Sequence, residues 1–328
     1  MKPSQVKKYL KATIKAGLPT FIWGSPGVGK SQIVKQVADE LGLELRDVRA
    51  VLLDPVDLRG VPKIEGKTCV WTIPQFLPQG NGRGILFLDE LNAAPPLIQA
   101  ACYQLILDRR LGEYVLPDGW IIIAAGNRDT DRAVTTRMSS ALASRFCHVL
   151  DFEVNLDDWT TWALDHSIMP ELIAFVRYRP DLLMAFDPAR NDKAYPCPRT
   201  WEFVSRLLTA GLDPGLEYDG LSGIVGAGAA TEFLGFLRIY RDLPDVDEIL
   251  ANPTKAEVPK DTAVLYALCG ALARKVTDKN PKAVMSYADR LPGEFSVLLV
   301  KDIIRLRPEL LKSQAFITWG INHQDIIL

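Results

Sequence analysis

Residues 21–34, FIWGSPGVGKSQIV, decide the fold, because an apolar run breaks there into a glycine-rich turn and continues as a helical pattern. Within them, residues 24–31 match G-x-x-x-x-G-K-S/T at every fixed position, with a strand pattern before and a helix pattern after. Glycines let successive backbone N–H groups face inward, and the N-terminal end of a helix attracts an anion. The stretch therefore predicts a loop that binds the phosphates of a nucleotide.

The side chains of this loop have separate predicted roles. Lys30 should reach the β- and γ-phosphates of ATP, and the Ser31 hydroxyl should ligate Mg²⁺. The residues expected to surround the nucleotide are Gly24, Ser25, Pro26, Gly27, Val28, Gly29, Lys30, Ser31 and Gln32. The sequence thus predicts ATP and Mg²⁺ as cofactors.

Two further segments supply polar groups at the ends of predicted strands. ILFLDELN, residues 85–92, places Asp89 and Glu90 directly after four apolar residues. Asp89 is suited to hold Mg²⁺, and Glu90 to orient or deprotonate water, which indicates hydrolysis rather than kinase-type transfer. Asn127, after IIIAAG, could hydrogen-bond that water or the γ-phosphate, although asparagine after a strand is also a common turn residue.

Short apolar runs alternate with helical patterns up to about residue 150. The predicted strands are residues 19–23, 49–53, 84–89, 120–126 and 148–152, and the predicted helices are residues 31–42 and 96–110. This alternation predicts an α/β fold with a parallel sheet that helices cover on both faces.

Beyond about residue 153 the strand patterns stop and helical patterns follow. We predict an α/β core over residues 1–153, a helical lid over 154–242 and a helical C-terminal extension over 243–328. Residues 243–261 read as a loop, and residues 221–237 as one buried helix rather than a membrane span, because they contain Glu232 and several glycines.

Composition and charge exclude several classes of protein. The net charge is −2 over 328 residues, which argues against wholesale binding to nucleic acid or acidic membranes. Five scattered cysteines without a C-x-x-C pair indicate reduced thiols rather than disulfides or a zinc site. Residues 1–17 carry lysines throughout and lack the apolar segment of a signal peptide. We therefore expect a soluble cytoplasmic protein without membrane association.

The order of these motifs resembles the AAA+ ATPases, and in particular the MoxR family within the group whose second helix is interrupted by an insert. The resemblance covers roughly residues 15–210. Its segments are GSPGVGKS (Walker A), ILFLDE (Walker B), AAGN with Asn127 (sensor 1), ALASRF with Arg145 (arginine finger) and CPRTWEFVSRLL with Arg199 (sensor 2). The resemblance implies a P-loop AAA+ core followed by a helical lid.

Two smaller segments also resemble elements of that family. Residues 53–78 resemble the helix-2 insert, in which a hairpin around Gly66 and Lys67 would project towards a central pore. Residues 108–120 resemble the short hairpin that precedes sensor 1. Two aromatic residues of the insert, Trp71 and Phe76, could either grip a polypeptide or pack within the insert.

The resemblance also implies how subunits cooperate. In that family the nucleotide lies between neighbouring subunits of a ring, usually a hexamer. Arg145 would act on the neighbour's ATP, where a guanidinium supplied in trans contributes on the order of 10³–10⁵ in rate. Arg199 would sense the γ-phosphate from the lid of its own subunit. Other arginines that could share or take over the trans role are Arg128, Arg132 and Arg137.

Three functions follow from these features. The first is a ring ATPase that remodels or activates a protein partner, and the MoxR resemblance implies a separate protein with a von Willebrand factor A domain. The second is a DNA- or RNA-dependent motor of the helicase or loader type, with a phosphate-tracking collar formed by Lys63, Lys67, Arg109 and Arg110. The net charge and the lack of an appended nucleic-acid module argue against it. The third, a monomeric switch or kinase, conflicts with Glu90 and Arg145.

Overall fold

A computed structural model describes residues 1–131, 138–190 and 192–323. The described chain separates into two compact units, the first comprising Met1–Asp158 and Phe186–Asn191, the second Trp159–Ala185 and Asp192–Leu328. The predicted lid and C-terminal extension therefore both lie mainly in the second unit. Their division into separate domains at residues 153 and 242 stays a prediction.

The first unit alternates strands and helices along the chain. Its strands are β1 (Thr20–Trp23), β2 (Glu44–Arg49), β3 (Pro62–Glu65), β4 (Thr68–Trp71), β5 (Gly84–Asp89), β6 (Arg110–Leu111), β7 (Tyr114–Val115), β8 (Trp120–Gly126) and β9 (Cys147–Val149). Its helices are α1 (Pro3–Lys15), α2 (Lys30–Leu41), α3 (Pro55–Arg59), α4 (Pro96–Asp108) and α5 (Ser140–Ala143). Short 3₁₀ turns occur at Ala50–Leu52, Leu91–Ala93 and Asp129–Asp131.

Five of these strands form one parallel sheet in the order β2-β5-β8-β1-β9. The α/β fold class with a parallel sheet is thereby confirmed. All seven residues of β8 and the first five residues of β5 are buried, as their uninterrupted apolar runs predict. Because the strands are parallel, the ends of β1, β5 and β8 lie at one edge of the sheet, and the predicted site residues follow these ends.

The strand predicted at residues 49–53 is wrong. The strand at this place, β2, ends at Arg49, and the apolar residues after it form the 3₁₀ turn Ala50–Leu52. β2 lies at an edge of the sheet, and most of its side chains are exposed or half-buried. Such a strand lacks a continuous apolar run, so the apolar turn that follows it gave the stronger signal.

The two predicted hairpins are present in the first unit. β3 pairs with β4 in antiparallel register around Gly66, whose φ is 64°, and β6 pairs with β7 around Gly112, whose φ is 59°. Only glycine adopts this left-handed conformation without cost. In the insert, the Arg59 guanidinium covers Trp71 at 4.1 Å from the ring centroid, and Phe76 packs against the core. Both aromatic residues therefore pack within the first unit.

The described chain beyond β9 is helical. Its helices are α6 (Leu156–Asp165), α7 (Pro170–Tyr178), α8 (Pro198–Thr209), α9 (Glu217–Val225), α10 (Ala227–Arg241), α11 (Val246–Ala251), α12 (Thr262–Lys275), α13 (Pro281–Ala288), α14 (Gly293–Leu306) and α15 (Gln314–Asn322). Among the residues that the structure describes, no helix is long and apolar enough to cross a membrane. All five cysteines are free thiols.

Two predictions for the helical part need correction. The single helix expected over residues 221–237 is two helices, which Gly226 separates with a φ of 82°. A side chain at Gly226 would approach the Ala194 carbonyl oxygen to 2.9 Å. The loop expected over residues 243–261 contains α11, whose N-terminus is capped by the Asp245 carboxylate. A six-residue helix between prolines gives too short a periodic pattern to be recognised.

The second unit has its own core and a buried ion pair. The rings of Phe175, Trp201 and Phe233 lie 5.1–5.6 Å apart, and all three side chains are buried. Arg177 of α7 donates two hydrogen bonds to Asp302 of α14, one of them at 2.7 Å. These contacts join helices from the predicted lid to a helix from the predicted extension within one compact unit.

Candidate functional site

The glycine-rich loop, residues 24–29, connects β1 to α2. Gly27 and Gly29 have φ values of 78° and 103°, and Gly29 is the residue that precedes the first turn of α2. No side chain in the described part of the chain caps this end of α2. A Cβ at Gly24 would lie 3.0 Å from the Phe152 carbonyl oxygen, so the backbone at the root of the loop leaves little room for a side chain. A helix end without a side-chain cap is one that attracts an anionic ligand.

Lys30 joins the loop to the end of β8. Its ammonium donates hydrogen bonds to the carbonyl oxygens of Gly24 and Ser25 at 2.7 and 3.2 Å, and to Asn127 Oδ1 at 2.8 Å. The residue is only 9% exposed. A buried ammonium needs such partners, because losing water without replacement is costly. The structure therefore brings two predicted site residues from distant segments into direct contact.

Ser31 and Asp89 also meet. The Ser31 hydroxyl donates to Asp89 Oδ2 at 2.7 Å, and the other carboxylate oxygen accepts from the Glu90 backbone N–H at 3.0 Å. Partial burial and then the negative charge of Asp89 raise the pKa of Asp47 on the adjacent strand β2 above its ordinary value. The hydroxyl and carboxylate oxygens are hard donors, and the surplus negative charge beside them favours a cation.

The Ser31 hydroxyl and the Asp89 carboxylate together suit only a metal ion that takes few protein ligands. In the described ranges, no group of three or more histidine, cysteine, aspartate or glutamate side chains could hold a metal ion. Magnesium commonly takes one or two protein oxygens and completes its shell with phosphate oxygens and water. The donor set at Ser31 and Asp89 fits that kind of site.

Glu90 occupies an unusual backbone position directly after β5. Its φ is 57°, in the left-handed region that few residues other than glycine adopt. Residues held there cluster at functional sites, because the surrounding fold must compensate for the strain. The side chain is half-buried, and none of the described residues hydrogen-bonds its carboxylate. This carboxylate can therefore act on a water molecule.

Asn92 is a site residue that the sequence analysis missed. It is 1% exposed, and its amide donates to the Asn127 carbonyl oxygen at 2.7 Å, which ties the segment after Glu90 to the end of β8. A Cβ at Gly126 would lie 2.1 Å from Asn92 Oδ1, so a larger residue there would displace the Asn92 side chain. The sequence shows only an asparagine two residues after the acidic pair Asp89 and Glu90. Its structural role becomes evident from the hydrogen bond to Asn127.

Asp131 is a second missed residue and forms the centre of a buried polar network. It is 5% exposed, and it accepts hydrogen bonds from the Ser25 hydroxyl at 3.1 Å and from the Arg128 backbone N–H at 3.1 Å. The Arg128 guanidinium donates to Asp131, to the Ser25 hydroxyl and to Asp151. Arg128, named above as a possible trans arginine, is thus engaged with the glycine-rich loop of its own chain.

The other predicted arginines are placed differently. Arg145 follows α5, and its side chain is exposed and donates to the Tyr103 hydroxyl at 3.0 Å. Arg199 is the second residue of α8 in the second unit and is exposed. Arg132 and Arg137 lie outside the described residues. Of the two trans candidates that the structure describes, Arg128 and Arg145, Arg145 is the exposed one.

We expect Asp131→Asn to lower the free energy of unfolding by about 1.5–3 kcal/mol, the usual value of a hydrogen bond to a charged group. The substitution removes the charge opposite Arg128 and turns an N–H group towards that guanidinium. Urea denaturation followed by circular dichroism measures the change. Asp129→Asn, at an exposed position of the same 3₁₀ turn, is the matched control and should change stability by less than about 0.5 kcal/mol. Equal effects of the two variants would contradict the network.

Part of the chain is similar to proteins of known families. Residues 19–146 match the family model described as AAA domain (dynein-related subfamily). Among curated proteins, the chain is 33% identical over 91 residues to the replication factor C large subunit of Ignicoccus hospitalis, which covers 28% of this chain and 18% of that protein. It is 30% identical over 146 residues to the Holliday junction branch migration complex subunit RuvB of Treponema denticola, covering 40% and 36%. The matched segments thus cover only 18% and 36% of these two relatives.

Two solved structures were also compared. A RuvB mutant from Thermotoga maritima aligns over 82% of this chain and 81% of its own, with 18% identity and a TM-score of 0.38. NtrX from Brucella abortus in complex with ADP aligns over 98% and 67%, with 15% identity and a TM-score of 0.42. The likeness to an AAA domain is that of residues 19–146.

Proposed function

Taking residues 19–146 as an AAA domain, we propose that this chain is a Mg²⁺-dependent ATPase that converts ATP and water to ADP and phosphate. Its working form in this proposal is a hexameric ring, as in the MoxR family that the motifs resemble, and it remodels or activates a protein partner. One observation carries the nucleotide chemistry: side chains from three distant segments meet at one edge of the sheet, namely Lys30, Ser31, Asp89 and Asn127.

The roles of these residues follow from their chemistry. Lys30 would bind the β- and γ-phosphates of ATP in the loop of residues 24–32, and Ser31 and Asp89 would hold Mg²⁺. The bound ion supplies positive charge that stabilises the oxygens of the transferring phosphoryl group. Glu90 would accept the proton of the attacking water, and Asn127 would orient that water or the γ-phosphate.

The proposed ring assigns Arg145 to the nucleotide of the neighbouring subunit. Its side chain is exposed and bonded to Tyr103. Phosphoryl transfer spreads negative charge over the transferring oxygens, and a guanidinium in trans stabilises that charge. Arg199 would sense the γ-phosphate from the lid of its own subunit. The resemblance further implies a separate partner with a von Willebrand factor A domain, and the scattered cysteines favour a cytoplasmic setting.

A protein partner is favoured by exposed apolar side chains on the β3–β4 hairpin. Ile64, near its tip, is 80% exposed, and Val61, just before β3, is 62% exposed. The charges beside them are balanced, since Lys63 Nζ lies 3.0 Å from Glu65 Oε1. Exposed apolar clusters mark protein interaction sites, whereas nucleic acid binding depends on uncompensated positive charge. The hairpin therefore suits a polypeptide better than a phosphate backbone.

A DNA- or RNA-dependent motor is the second candidate, because the curated relatives are named as a replication factor and a Holliday junction branch migration subunit. The structure weakens the predicted collar of four cations. The Arg109 guanidinium donates to two backbone carbonyls at 2.7 and 2.8 Å, and Lys63 is paired with Glu65. Arg110 and Lys67 are exposed. Half of the collar is thus already engaged within the subunit.

The test uses Glu90→Gln as an ATP-bound trap in an affinity pull-down from the native lysate, with mass spectrometry before and after nuclease treatment. Lys30→Ala, which should not bind ATP, is the matched control. We expect a stoichiometric protein that survives nuclease, is absent from the control and raises the ATPase rate of the wild-type chain when purified. Nucleic acid without a stoichiometric protein, together with stimulation by DNA or RNA, would instead establish the second candidate.

The same assay tests the hairpin. Ile64→Ser should reduce stimulation by the captured protein without changing the basal ATPase rate, because the residue contacts solvent in the subunit and lies apart from the nucleotide residues in the sequence. Lys67→Ala, in the turn of the same hairpin, is the control and should leave stimulation intact. The opposite pattern, with Lys67→Ala defective and Ile64→Ser normal, would indicate a phosphate backbone as the ligand.

A further inference from the structure

Tyr103, on α4, lies directly beside the side chain of Arg145. The Arg145 Nη2 donates to the Tyr103 hydroxyl at 3.0 Å, and the guanidinium carbon lies 5.5 Å from the centroid of the ring. The tyrosine thus offers both a hydrogen-bond acceptor and an aromatic face, and a cation within about 6 Å of a ring centroid is attracted to it. We infer that Tyr103 is a positioning residue that holds Arg145 ready for the nucleotide of the neighbouring subunit. This inference rests on the proposed trans role of Arg145.

The backbone of Arg145 is fixed by the fold, but its side chain is not. Its N–H donates to the Leu142 carbonyl oxygen at 3.1 Å, directly after α5, which the Ser139 hydroxyl caps. The next residue, Phe146, is buried and packs edge-on against Phe21 with centroids 5.4 Å apart. The side chain itself projects from this anchor and is exposed.

An exposed arginine has many rotamers, and restricting them costs conformational entropy. Stabilisation of developing charge is strongest when the donor is already in place before the reaction. The Tyr103 contact already restricts the Arg145 side chain in the isolated subunit. Arg145 therefore loses less conformational entropy when it meets the nucleotide of a neighbouring subunit. Tyr103 itself is half-buried against the core of the first unit, which makes it a rigid support.

The support also connects two sites through one helix. α4 begins a few residues after Glu90 and Asn92, which belong to the nucleotide site of the same subunit. Tyr103 lies about two turns further along that helix. α4 therefore follows Glu90, the proposed water-activating residue of its own subunit. The same helix carries Tyr103, which supports the arginine proposed to act on the neighbouring subunit's nucleotide.

The first test compares Tyr103→Phe, which keeps the ring and removes the hydroxyl, with Tyr103→Leu, which removes both contacts and keeps an apolar side chain. We expect kcat for ATP hydrolysis to fall by about 5-fold and about 20-fold, respectively, in line with one hydrogen bond and one cation–π contact. The Kd for ATP should remain unchanged in both variants. In a protein that already carries Arg145→Ala, adding Tyr103→Leu should lower kcat by less than about 2-fold further, since the two residues act as a unit.

The second test mixes two variants to separate positioning from structural damage. Glu90→Gln subunits cannot turn over ATP but carry an intact Arg145, whereas Tyr103→Leu subunits carry an intact nucleotide site. A mixed ring should therefore hydrolyse ATP faster than the sum of the two variants alone. Arg145→Ala mixed with Glu90→Gln is the matched control and should be rescued in the same way.

The outcomes distinguish the inference from the proposed function. If Arg145→Ala alone leaves kcat unchanged, the trans role of Arg145 fails and the inference fails with it. If Arg145→Ala is slow and is rescued in the mixture, but Tyr103→Leu is either fully active or slow without rescue, only the inference about Tyr103 is overturned. A Tyr103→Leu defect that persists undiminished in the Arg145→Ala background would likewise assign the tyrosine a purely structural role.

Discussion

Glu90→Gln should stop ATP turnover while leaving ATP binding intact. Glutamine has the shape of glutamate but cannot accept the proton of the attacking water, and general-base catalysis contributes on the order of 10²–10⁴ in rate. We therefore expect kcat to fall by at least about 10²-fold with an unchanged Kd for ATP. Phosphate release measures kcat, and isothermal titration calorimetry measures Kd.

Glu113→Gln is the matched control for this variant. Glu113 is an exposed glutamate in the turn between β6 and β7, so its substitution should leave both kcat and Kd unchanged. If Glu90→Gln hydrolyses ATP at the wild-type rate, Glu90 does not activate water. Because the left-handed backbone at Glu90 is equally available to glutamine, the variant should fold as the wild type does.

The arrangement of the candidate site could be predicted from the sequence because its parts are local. Lys30 and Ser31 belong to a contiguous motif, and Asp89 and Asn127 each follow an apolar run that ends at the same edge of a parallel sheet. Once the strands are parallel, their ends must converge. The Ser31–Asp89 and Lys30–Asn127 hydrogen bonds are consequences of that topology.

The supporting residues could not be predicted in this way. Their roles depend on hydrogen bonds to residues far away in the sequence. The partners lie 35 positions from Asn92, 106 from Asp131 and 42 from Tyr103. No local pattern distinguishes them from polar residues in ordinary turns or on helix surfaces. The same limit applies to the edge strand β2 and to the short α11, where the periodic signal is weak because few side chains are buried.

Lys30→Ala should abolish tight binding of ATP. Charge-assisted hydrogen bonds to phosphate are each worth about 1.5–3 kcal/mol, so losing contacts to two phosphates should raise Kd by about 10³-fold. Calorimetry measures this Kd directly. In a thermal melt, ATP should raise the melting temperature of the wild type and leave that of Lys30→Ala unchanged, since only a ligand that binds the folded state stabilises it.

The control separates loss of the ammonium from damage to the loop. Lys30 also bonds to the carbonyls of Gly24 and Ser25, so Lys30→Ala could loosen the loop without any ligand. Lys30→Met keeps most of the side-chain volume and removes only the charge, and it should lose ATP as completely. Lys35→Ala, at an exposed position of α2, should bind ATP normally. Wild-type affinity in Lys30→Met would exclude residues 24–31 as the phosphate-binding loop, because a neutral thioether cannot replace an ammonium between two phosphates.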